Sequence, residues 1–435
     1  MDSPRVTVQA ESDVYSYVPA DNGAGPMWCS GSTCLVRTRD RLFASGIETL
    51  PQVKPYNNVR WMLFELLQGG WKLQHRDEKD RTREPCPMVC FHDGRVLLSV
   101  NPTLAGPDDH GGPAEPAILQ FSADDMPAGY ETIAPGWQGT PPFTEHSYRS
   151  FAADGQRGEM ILLQNTGYTH AEWAFCDGQG DWSAQGQLVW PWGAEYDTPQ
   201  PIRVCYPNVS LNRHSVHFCG VSDIVEPYAK WRQFKRELTG REWDYDFRRL
   251  FYTWSDDITT GVFHDWVEIA SRDETCGWIF PGDLWVAPDG AAHILWVERA
   301  IDERLRPTFF PDARQKHSLN YAIVSEGKVV HTQALCELEE GQTGPSPNKG
   351  RFHSTPDGRL YVVYIAAGAG GTLNYVVEIG SDRTVGPATQ IPLQAPFRSF
   401  FTATVRGGSP ESDAVEMLGE AGPPHTIRYA RVRLD

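Results

Sequence analysis

The sequence predicts an all-β protein, a seven-bladed β-propeller with short helical insertions on one face. Its 435 residues include 15 Trp, 16 Tyr and 19 Phe together with 40 Gly and 33 Pro. Aromatic runs separated by Gly, Pro and Asp turns are typical of many short strands. One four-strand unit also recurs seven times, at spacings of about 45–75 residues, and repeats of this length are characteristic of propellers.

Each unit begins with two strands joined by a tight turn and continues with a second, aromatic strand pair. The first pairs lie at 33–46, 87–100, 147–164, 206–221, 283–298, 352–366 and 400–418. Blades of one domain spanning 1–435 are therefore expected at 28–80, 81–140, 145–195, 202–272, 277–340, 350–393 and 397–435. The last unit lacks an outer strand, which residues 5–12 are expected to supply, closing the ring. A two-domain β-sandwich is the alternative.

The propeller topology places the longest loops on one face. In each blade the first strand begins on the same face as the loop between the second and third strands, while the Asp-Gly turns lie opposite. Insertions at 101–116, 222–249 and 299–317 therefore share this insertion face. Within the second one, apolar residues recur near a helical period and Thr239-Gly240 supplies a stop, so a helix is expected. Functional sites on rigid scaffolds are usually built from such loops.

Composition restricts the partners and the location. The formal charge of −17 argues against nucleic-acid binding, although a local arginine cluster can still bind an anion. No apolar stretch approaches the ~18 residues of a membrane span. The start, "MDSPRVTVQAESDVYSY", shows no secretory signal, so a cytoplasmic location is expected. The nine cysteines include no CxxC pair and are expected to be reduced and buried.

Three side chains are candidates for chemistry on the insertion face. His146 enters the first strand of the third blade, His170 lies in the second-to-third loop of that blade, and Tyr206 opens the first strand of the fourth. A neutral histidine can act as a base near neutral pH, and a tyrosine can donate or relay the proton. The three residues are therefore expected to be catalytic.

The segment "HSYRSFAADGQRGEMILLQ" (146–164) resembles a strand pair of the BNR-repeat, sialidase-like propellers, a group that includes ulvan lyases and rhamnose–glucuronate lyases. The turn "CDGQGDWS" (176–183) is similar to the Asp-box turn of that family, and "SDDITTGVFHDW" (255–266) is a weaker match. The resemblance implies His146, His170 and Tyr206 as catalytic residues of a β-elimination. In such a reaction a base removes the proton alpha to a uronate carboxylate.

The family also places an arginine beyond its tyrosine to neutralise the carboxylate, whereas this sequence has "SDIVEP" (222–227) there. Other residues are therefore candidates for substrate binding, since the arginine fork binds carboxylates through two parallel hydrogen bonds. The candidates are Arg149, Arg248, Arg249, Arg351 and Arg398, together with His353, Asp283 and Trp278. Surface ion pairing is the alternative role of the arginines.

Three functions remain open, and the first is a lyase acting on a uronate-containing oligo- or polysaccharide. The second is a sialidase-like or rhamnosidase-like glycoside hydrolase, which needs two carboxylates or a Tyr–Glu pair. Available carboxylates are Asp283, Glu298, Glu145 and Glu195. The third is a non-catalytic carbohydrate-binding propeller. No cofactor is expected, although His217 and Cys219, with Cys276 or His264, offer ligands for a structural metal.

Overall fold

Seven four-stranded antiparallel sheets, arranged as the blades of a β-propeller, make up the computed structural model of this chain. The structure describes residues 3–54 and 56–435. The predicted fold class is therefore confirmed. In every blade the first strand lies at the central channel and the last strand at the rim.

The first three blades follow an N-terminal strand, β1 (Val6–Ser16), that belongs to the last blade. Blade one contains β2 (Leu35–Thr38), β3 (Arg41–Thr49), β4 (Val59–Leu67) and β5 (Gly70–Arg76). Blade two contains β6 (Met88–Cys90), β7 (Arg95–Val100), β8 (Ala117–Ser122) and β9 (Tyr130–Ile133), with a 3-10 helix at Ala123–Ala128. Blade three contains β10 (Ser150–Asp154), β11 (Glu159–Thr166), β12 (His170–Cys176) and β13 (Ala184–Val189).

The fourth and fifth blades carry the longest insertions. Blade four contains β16 (Val204–Asn212), β17 (Ser215–Ser222), β20 (Arg249–Ser255) and β21 (Val267–Ser271), and the short strand pair β14 (Trp192–Gly193) and β15 (Gln200–Pro201) precedes it. Its insertion consists of β18 (Ile224–Val225), α1 (Ala229–Thr239) and β19 (Tyr245–Asp246), and β18 pairs with β19. Blade five contains β22 (Trp278–Val286), β23 (Ala292–Arg299), α2 (Arg306–Phe309), β24 (Lys316–Ser325) and β25 (Lys328–Glu339). Further 3-10 helices lie at Ile258–Thr260 and Asp273–Thr275.

The last two blades complete the ring. Blade six contains β26 (Ser346–Ser354), β27 (Leu360–Gly368), β28 (Gly371–Ile379) and β29 (Thr389–Ile391), so it begins before residue 350. Blade seven contains β30 (Phe397–Thr402), β31 (Ala414–Ala421) and β32 (Thr426–Leu434). Its fourth strand is β1, which pairs with β32 from Val6 opposite Leu434 to Ser16 opposite Thr426.

The core lies between neighbouring blades, because each sheet covers the face of the next. All eight residues of β11 are buried, which explains why this strand has no alternation of polar and apolar residues. Between blades one and two, for example, Trp61 and Leu63 pack with Leu98 and Phe121. All nine cysteines are free; eight are buried, as expected, and Cys336 is half-buried.

The predicted helix in the second insertion is confirmed as α1. Gly240 follows it in the left-handed conformation (φ 66°), and its N–H donates to the carbonyl oxygen of Arg236. The third insertion forms only the one-turn α2. None of the helices in the described ranges has the length and apolar character needed to cross a bilayer.

Two loops fill the central channel, and we call them together the channel plug (residues 28–33 and 403–409). The first precedes β2 on the insertion face, and the second links β30 to β31 on the opposite face. Arg406 from the second loop donates to the carbonyl oxygens of Gly31 (2.9 Å) and Val209 (3.2 Å). Because the two loops meet inside the channel, the insertion face has a solid floor at its centre.

Candidate active site

The indole ring of Trp28 lies at the centre of an aromatic cluster on this floor. Its centroid is 5.3 Å from the imidazole ring of His146, 4.8 Å from the Tyr148 ring and 5.6 Å from the Tyr206 ring. Tyr148 is in turn 4.5 Å from His146 and 5.2 Å from Tyr206. The four residues precede or open the first strands of blades one, three and four, so the propeller topology brings His146 and Tyr206 into one cluster.

The backbone is strained at two members of this cluster. Tyr148 has a φ of 42° and Tyr206 a φ of 52°, in the left-handed region that residues with a side chain rarely adopt. Such a conformation costs about 1–3 kcal/mol and persists only where the surrounding structure holds it. In this backbone conformation both phenol rings lie against Trp28.

The imidazole of His146 is held through one nitrogen only. Its Nδ1 lies 3.1 Å from a carboxylate oxygen of Glu84 and 2.5 Å from Nη1 of Arg83. Nε2 has no hydrogen-bond partner among the described residues, and the side chain is 28% exposed. His146 therefore combines a fixed ring with a second nitrogen that is free to react, which is the arrangement of a general base.

Glu84 is an ionised carboxylate beneath the histidine. Burial alone would raise its pKa, but the hydrogen bond and charge of His146, the charge of Arg149 and a hydrogen bond from Ser147 outweigh burial and lower it. Both the backbone N–H (3.1 Å) and the hydroxyl (2.5 Å) of Ser147 donate to Glu84. A carboxylate in this position orients the imidazole and stabilises its protonated form.

Arg83 is a buried cation beside the histidine, with 6% of its surface exposed. Its Nε donates to the carbonyl oxygen of Asn22 (3.1 Å), and its guanidinium lies 4.3 Å from the ring centroid of Tyr56. Within the described ranges, no carboxylate oxygen lies within 4 Å of it, in contrast to most arginines of this chain. A buried guanidinium without a carboxylate partner can bind an anion through its remaining N–H groups.

A second buried arginine, Arg203, already has its anion. It bonds to the Asp223 carboxylate (2.9 Å) and lies 5.4 Å from the Tyr148 ring centroid, which it supports from below. Burial is the largest cause that raises the pKa of both phenols, and the negative charge of Asp223 adds to it. Tyr148 and Tyr206 are therefore protonated at neutral pH and can donate a proton or a hydrogen bond.

His170 lies on the insertion face but outside this cluster. It opens β12, the third strand of its blade, where it pairs with Thr166. Its Nε2 is 3.0 Å from a carboxylate oxygen of Glu172, and its Nδ1 is 2.8 Å from the Thr169 hydroxyl. Both ring nitrogens therefore have hydrogen-bond partners. Because the third strand lies away from the channel, His170 does not contact His146.

Three of the predicted substrate-binding residues are buried in the channel and bond to the protein itself. Arg149 donates to the carbonyl oxygens of Ser99 (3.1 Å) and Pro85 (3.0 Å). Arg351 donates to the carbonyl oxygens of Gly282 and Ser30, and Asp283 pairs with Arg406. Arg351 and Asp283 thus bind the channel plug, whereas Arg149 binds the backbone of blade two and the segment before it.

The remaining candidates are dispersed. Arg249 pairs with Glu195 and Glu268, and Arg398 donates to the carbonyl oxygen of Gly422 (3.0 Å) on blade seven. The buried His353 bonds to the carbonyl oxygen of Ser412 (2.7 Å) beyond β30, toward the opposite face. Arg248 is buried in an ion-pair network with Glu226 and Asp273. Trp278 alone lies near the cluster, stacked 5.6 Å from Phe280.

The residues considered for a structural metal do not come together. His217 bonds to Tyr252 and Ser215, and His264 bonds to Asp256. Over the described ranges, no group of three or more His, Cys, Asp or Glu side chains is arranged to hold a metal ion.

Sequence reasoning missed Arg83, Glu84 and Tyr148. Arg83 and Glu84 stand just before β6, where the rule that placed His146 on the insertion face applies equally. The signal was a charged pair at a blade entrance, in "RTREPCP" (81–87).

No protein-family model and no curated protein matches this sequence, so membership of the BNR-repeat family stays a prediction. Among solved structures, the polysaccharide lyase Uly1 shares the fold, with a TM-score of 0.56 and 11% identity over 99% of this chain and 94% of that one. A protein of unknown function from Dyadobacter fermentans has a TM-score of 0.48, at 10% identity over 99% of both chains. The α-L-arabinanase of Penicillium chrysogenum, complexed with arabinobiose, has a TM-score of 0.46, at 11% identity over 98% of both chains.

Proposed function

We propose that this protein is a carbohydrate-active lyase that cleaves a uronate-containing oligo- or polysaccharide by β-elimination. The observation that carries the proposal is the buried Arg83, which lacks a carboxylate partner among the described residues and lies against His146. This geometry suits an anionic group bound next to a base. The fold shared with the polysaccharide lyase Uly1 is consistent with the proposal.

In the proposed reaction Arg83 binds the carboxylate of the uronate. Neutralising that carboxylate makes the proton on the adjacent carbon more acidic and stabilises the negative charge that develops when it leaves. Binding also has a consequence for His146. In the free protein Nδ1 can either accept a hydrogen bond from the guanidinium of Arg83, which only donates, or carry a proton and donate to Glu84. When a substrate carboxylate takes the guanidinium's hydrogen bonds, Nδ1–H donates to Glu84 and Nε2 carries the lone pair of a base.

His146 and Tyr206 supply the two proton transfers of the remaining steps. Nε2 of His146 takes the proton alpha to the carboxylate, a carbon–carbon double bond forms, and the bond to the leaving glycosidic oxygen breaks. Tyr206, which is partly exposed and protonated, donates its proton to that oxygen. Proton exchange with water then restores both residues.

Hydrolysis fits this cluster less well because it needs two available carboxylates, or a tyrosine with an available glutamate. The carboxylate at His146 is Glu84, which is fully buried and bonded to Ser147 and His146. Asp223, the next acidic group, is paired with Arg203. Asp283 is paired with Arg406 in the channel.

The test is incubation with oligosaccharides that contain uronates, and with their carboxyl-reduced counterparts, while the ultraviolet absorbance of the new conjugated double bond is followed. We expect absorbance to rise with the acidic substrates only, and to be lost in His146→Ala and Arg83→Ala. Arg398→Ala, an exposed arginine on another blade, is the matched control and should retain activity. Release of reducing ends without absorbance would mean hydrolysis, and binding without either product would mean a carbohydrate-binding protein.

A further inference from the structure

A cavity of about 540 Å³ lies on the insertion face beside the cluster, and we call it the insertion pocket. Two insertions and the start of blade five form its walls. Six of the residues that line it are Arg241, Trp243, Phe247, Trp278, Arg299 and Arg304. Its volume falls in the range of about 300–1,000 Å³ that small-ligand sites occupy.

The insertion pocket adjoins the candidate active site through aromatic contacts. Tyr206 lies 5.9 Å from Phe247, which lines the pocket, and 4.7 Å from Phe280. Phe280 stacks at 5.6 Å on Trp278, which also lines the pocket. A chain of sugars that reaches Tyr206 can therefore continue over Phe280 into the pocket, with Trp278 available for stacking on a ring.

The pocket is lined by charges of both signs, but two of its arginines have no acidic partner among the described residues. The acidic lining residues each lie within 4 Å of another arginine, and they are Asp244, Asp246, Asp302 and Glu303. The guanidinium of Arg299 lies 5.1 Å from the Trp278 ring centroid. Neither Arg299 nor Arg241 has a carboxylate oxygen within 4 Å in the part of the chain that the structure describes, whereas Arg304 on the same wall is paired with Asp302 and Asp244. In a chain of net charge −17, two such arginines in one concavity indicate an anionic ligand.

The walls of the pocket are preorganised. Lys235 of α1 bonds to the fully buried Glu226 (2.7 Å), which also binds Arg248 (2.8 Å). Phe234 of α1 packs at 5.1 Å on Phe309 of α2, so the two insertions are joined. Residues held in this way lose little conformational entropy when a ligand binds.

We propose that the insertion pocket is a subsite for a second acidic sugar, more than one unit along the chain from the one at Arg83. The ring stacks on Trp278, and its carboxylate or sulfate group pairs with Arg299 and Arg241. The proposal rests on the proposed function for the sugar at Arg83. It makes the protein selective for oligosaccharides that carry a second anionic group at that distance, because a neutral sugar leaves both arginines without a partner.

The test uses hexuronate di- and tetrasaccharides, their carboxyl-reduced forms, and a tetrasaccharide that carries sulfate groups but no carboxylates. Binding is measured by calorimetry in the His146→Ala background, and turnover in the otherwise native protein. Arg299→Ala and Arg241→Ala should each weaken tetrasaccharide binding about tenfold and raise KM for it, with little effect on the disaccharide. Arg314→Ala, an exposed arginine of the same insertion outside the pocket lining, is the control and should change neither.

The two anions and the two proposals are separated by the outcomes. Binding of the hexuronate but not the sulfated sugar identifies a carboxylate subsite, and the reverse identifies a sulfate subsite. If Arg299→Ala raises KM equally for the disaccharide and the tetrasaccharide, or for neither, the subsite is overturned. Tetrasaccharide binding that depends on Arg299 without any double-bond product leaves the subsite standing and overturns the lyase.

Discussion

At the residue scale, the sequence located part of the candidate site by topology alone. His146 and Tyr206 were placed on one face because first strands all begin there, and both contact Trp28. The two side chains that contact Nδ1 of His146, Arg83 and Glu84, were missed, since a single Arg-Glu pair has no periodicity to mark it. Arg149 and Arg351 were misplaced for a physical reason. Buried backbone carbonyls around the channel need donors, and an arginine fork satisfies several of them at once.

The role assigned to Arg83 can be separated into charge and shape. Arg83→Lys keeps a cation but loses the fork, so it should retain a small part of the activity. Arg83→Ala loses both, and we expect kcat/KM to fall about 10²–10³-fold, as when one donor to a developing oxyanion is removed. Steady-state kinetics by double-bond absorbance measures this. Nearly full activity in Arg83→Ala would assign carboxylate neutralisation to another residue.

Tyr206 as proton donor gives a prediction that depends on the leaving group. Tyr206→Phe keeps the ring contacts with Trp28 and Tyr148 but removes the proton, so kcat on a sugar leaving group should fall about 10²–10⁴-fold. With an aryl leaving group, whose oxygen needs no proton, the loss should be much smaller. An equal loss for both leaving groups would show that Tyr206 has a structural role.

At the element scale, periodicity predicted the strands and the helix α1, whose apolar residues recur every three to four positions. The loops of the channel plug could not be predicted, because residues 28–33 and 403–409 have no repeat and their positions depend on contacts from distant blades. Gly31 shows how close those contacts are. A Cβ at Gly31 would lie 1.9 Å from the carbonyl oxygen of Pro207 and 2.9 Å from that of Tyr206.

Gly31→Ala should therefore disturb both the fold and the site. The clash is with backbone, which cannot move aside as a flexible side chain does, so the loop must shift and carry Trp28 with it. We expect a lower Tm and a loss of activity measured on the remaining folded protein. Gly25→Ala, in the same loop with no atom within 4 Å of the added Cβ, is the matched control. If Gly31→Ala matched that control in both measurements, the loop would not be fixed by the channel.

At the scale of the whole molecule, the seven-fold repeat predicted the ring, and the missing outer strand predicted its closure. Arg5 and Asp435 exchange backbone hydrogen bonds of 3.0 Å, so the two ends of the chain complete one blade. The repeat does not predict how buried titratable groups are distributed among the blades. Histidines are buried in blades four and six and partly buried in blade five. In the insertion of blade four, by contrast, two cations, Lys235 and Arg248, lie against five carboxylates, which belong to Glu226, Asp244, Asp246, Asp273 and Asp302.

These groups predict how stability depends on pH. Burial lowers the pKa of His217, His293 and His353 to about 4, from about 6.5 in an unfolded chain. At pH 5 the unfolded chain therefore binds about three more protons on these residues than the folded protein does. Asp246 acts in the opposite direction, because burial and the charges of Asp273 and Glu226 outweigh Arg248 and raise its pKa to about 7. It gives the folded protein one additional proton.

For these four groups the unfolded state thus binds about two more protons near pH 5, so the free energy of unfolding should fall with decreasing pH, by about 1.4 kcal/mol per pH unit for each proton. The loss begins as pH drops below about 6.5 and continues through about 4. Denaturant unfolding at a series of pH values measures the slope. His353→Gln should reduce the slope by about one proton and Asp246→Asn should increase it by about one, while the exposed His92→Gln should leave it unchanged. If His353→Gln left the slope unaltered, His353 would have to accept its proton without unfolding of the blade, by breaking its bond to the Ser412 carbonyl oxygen.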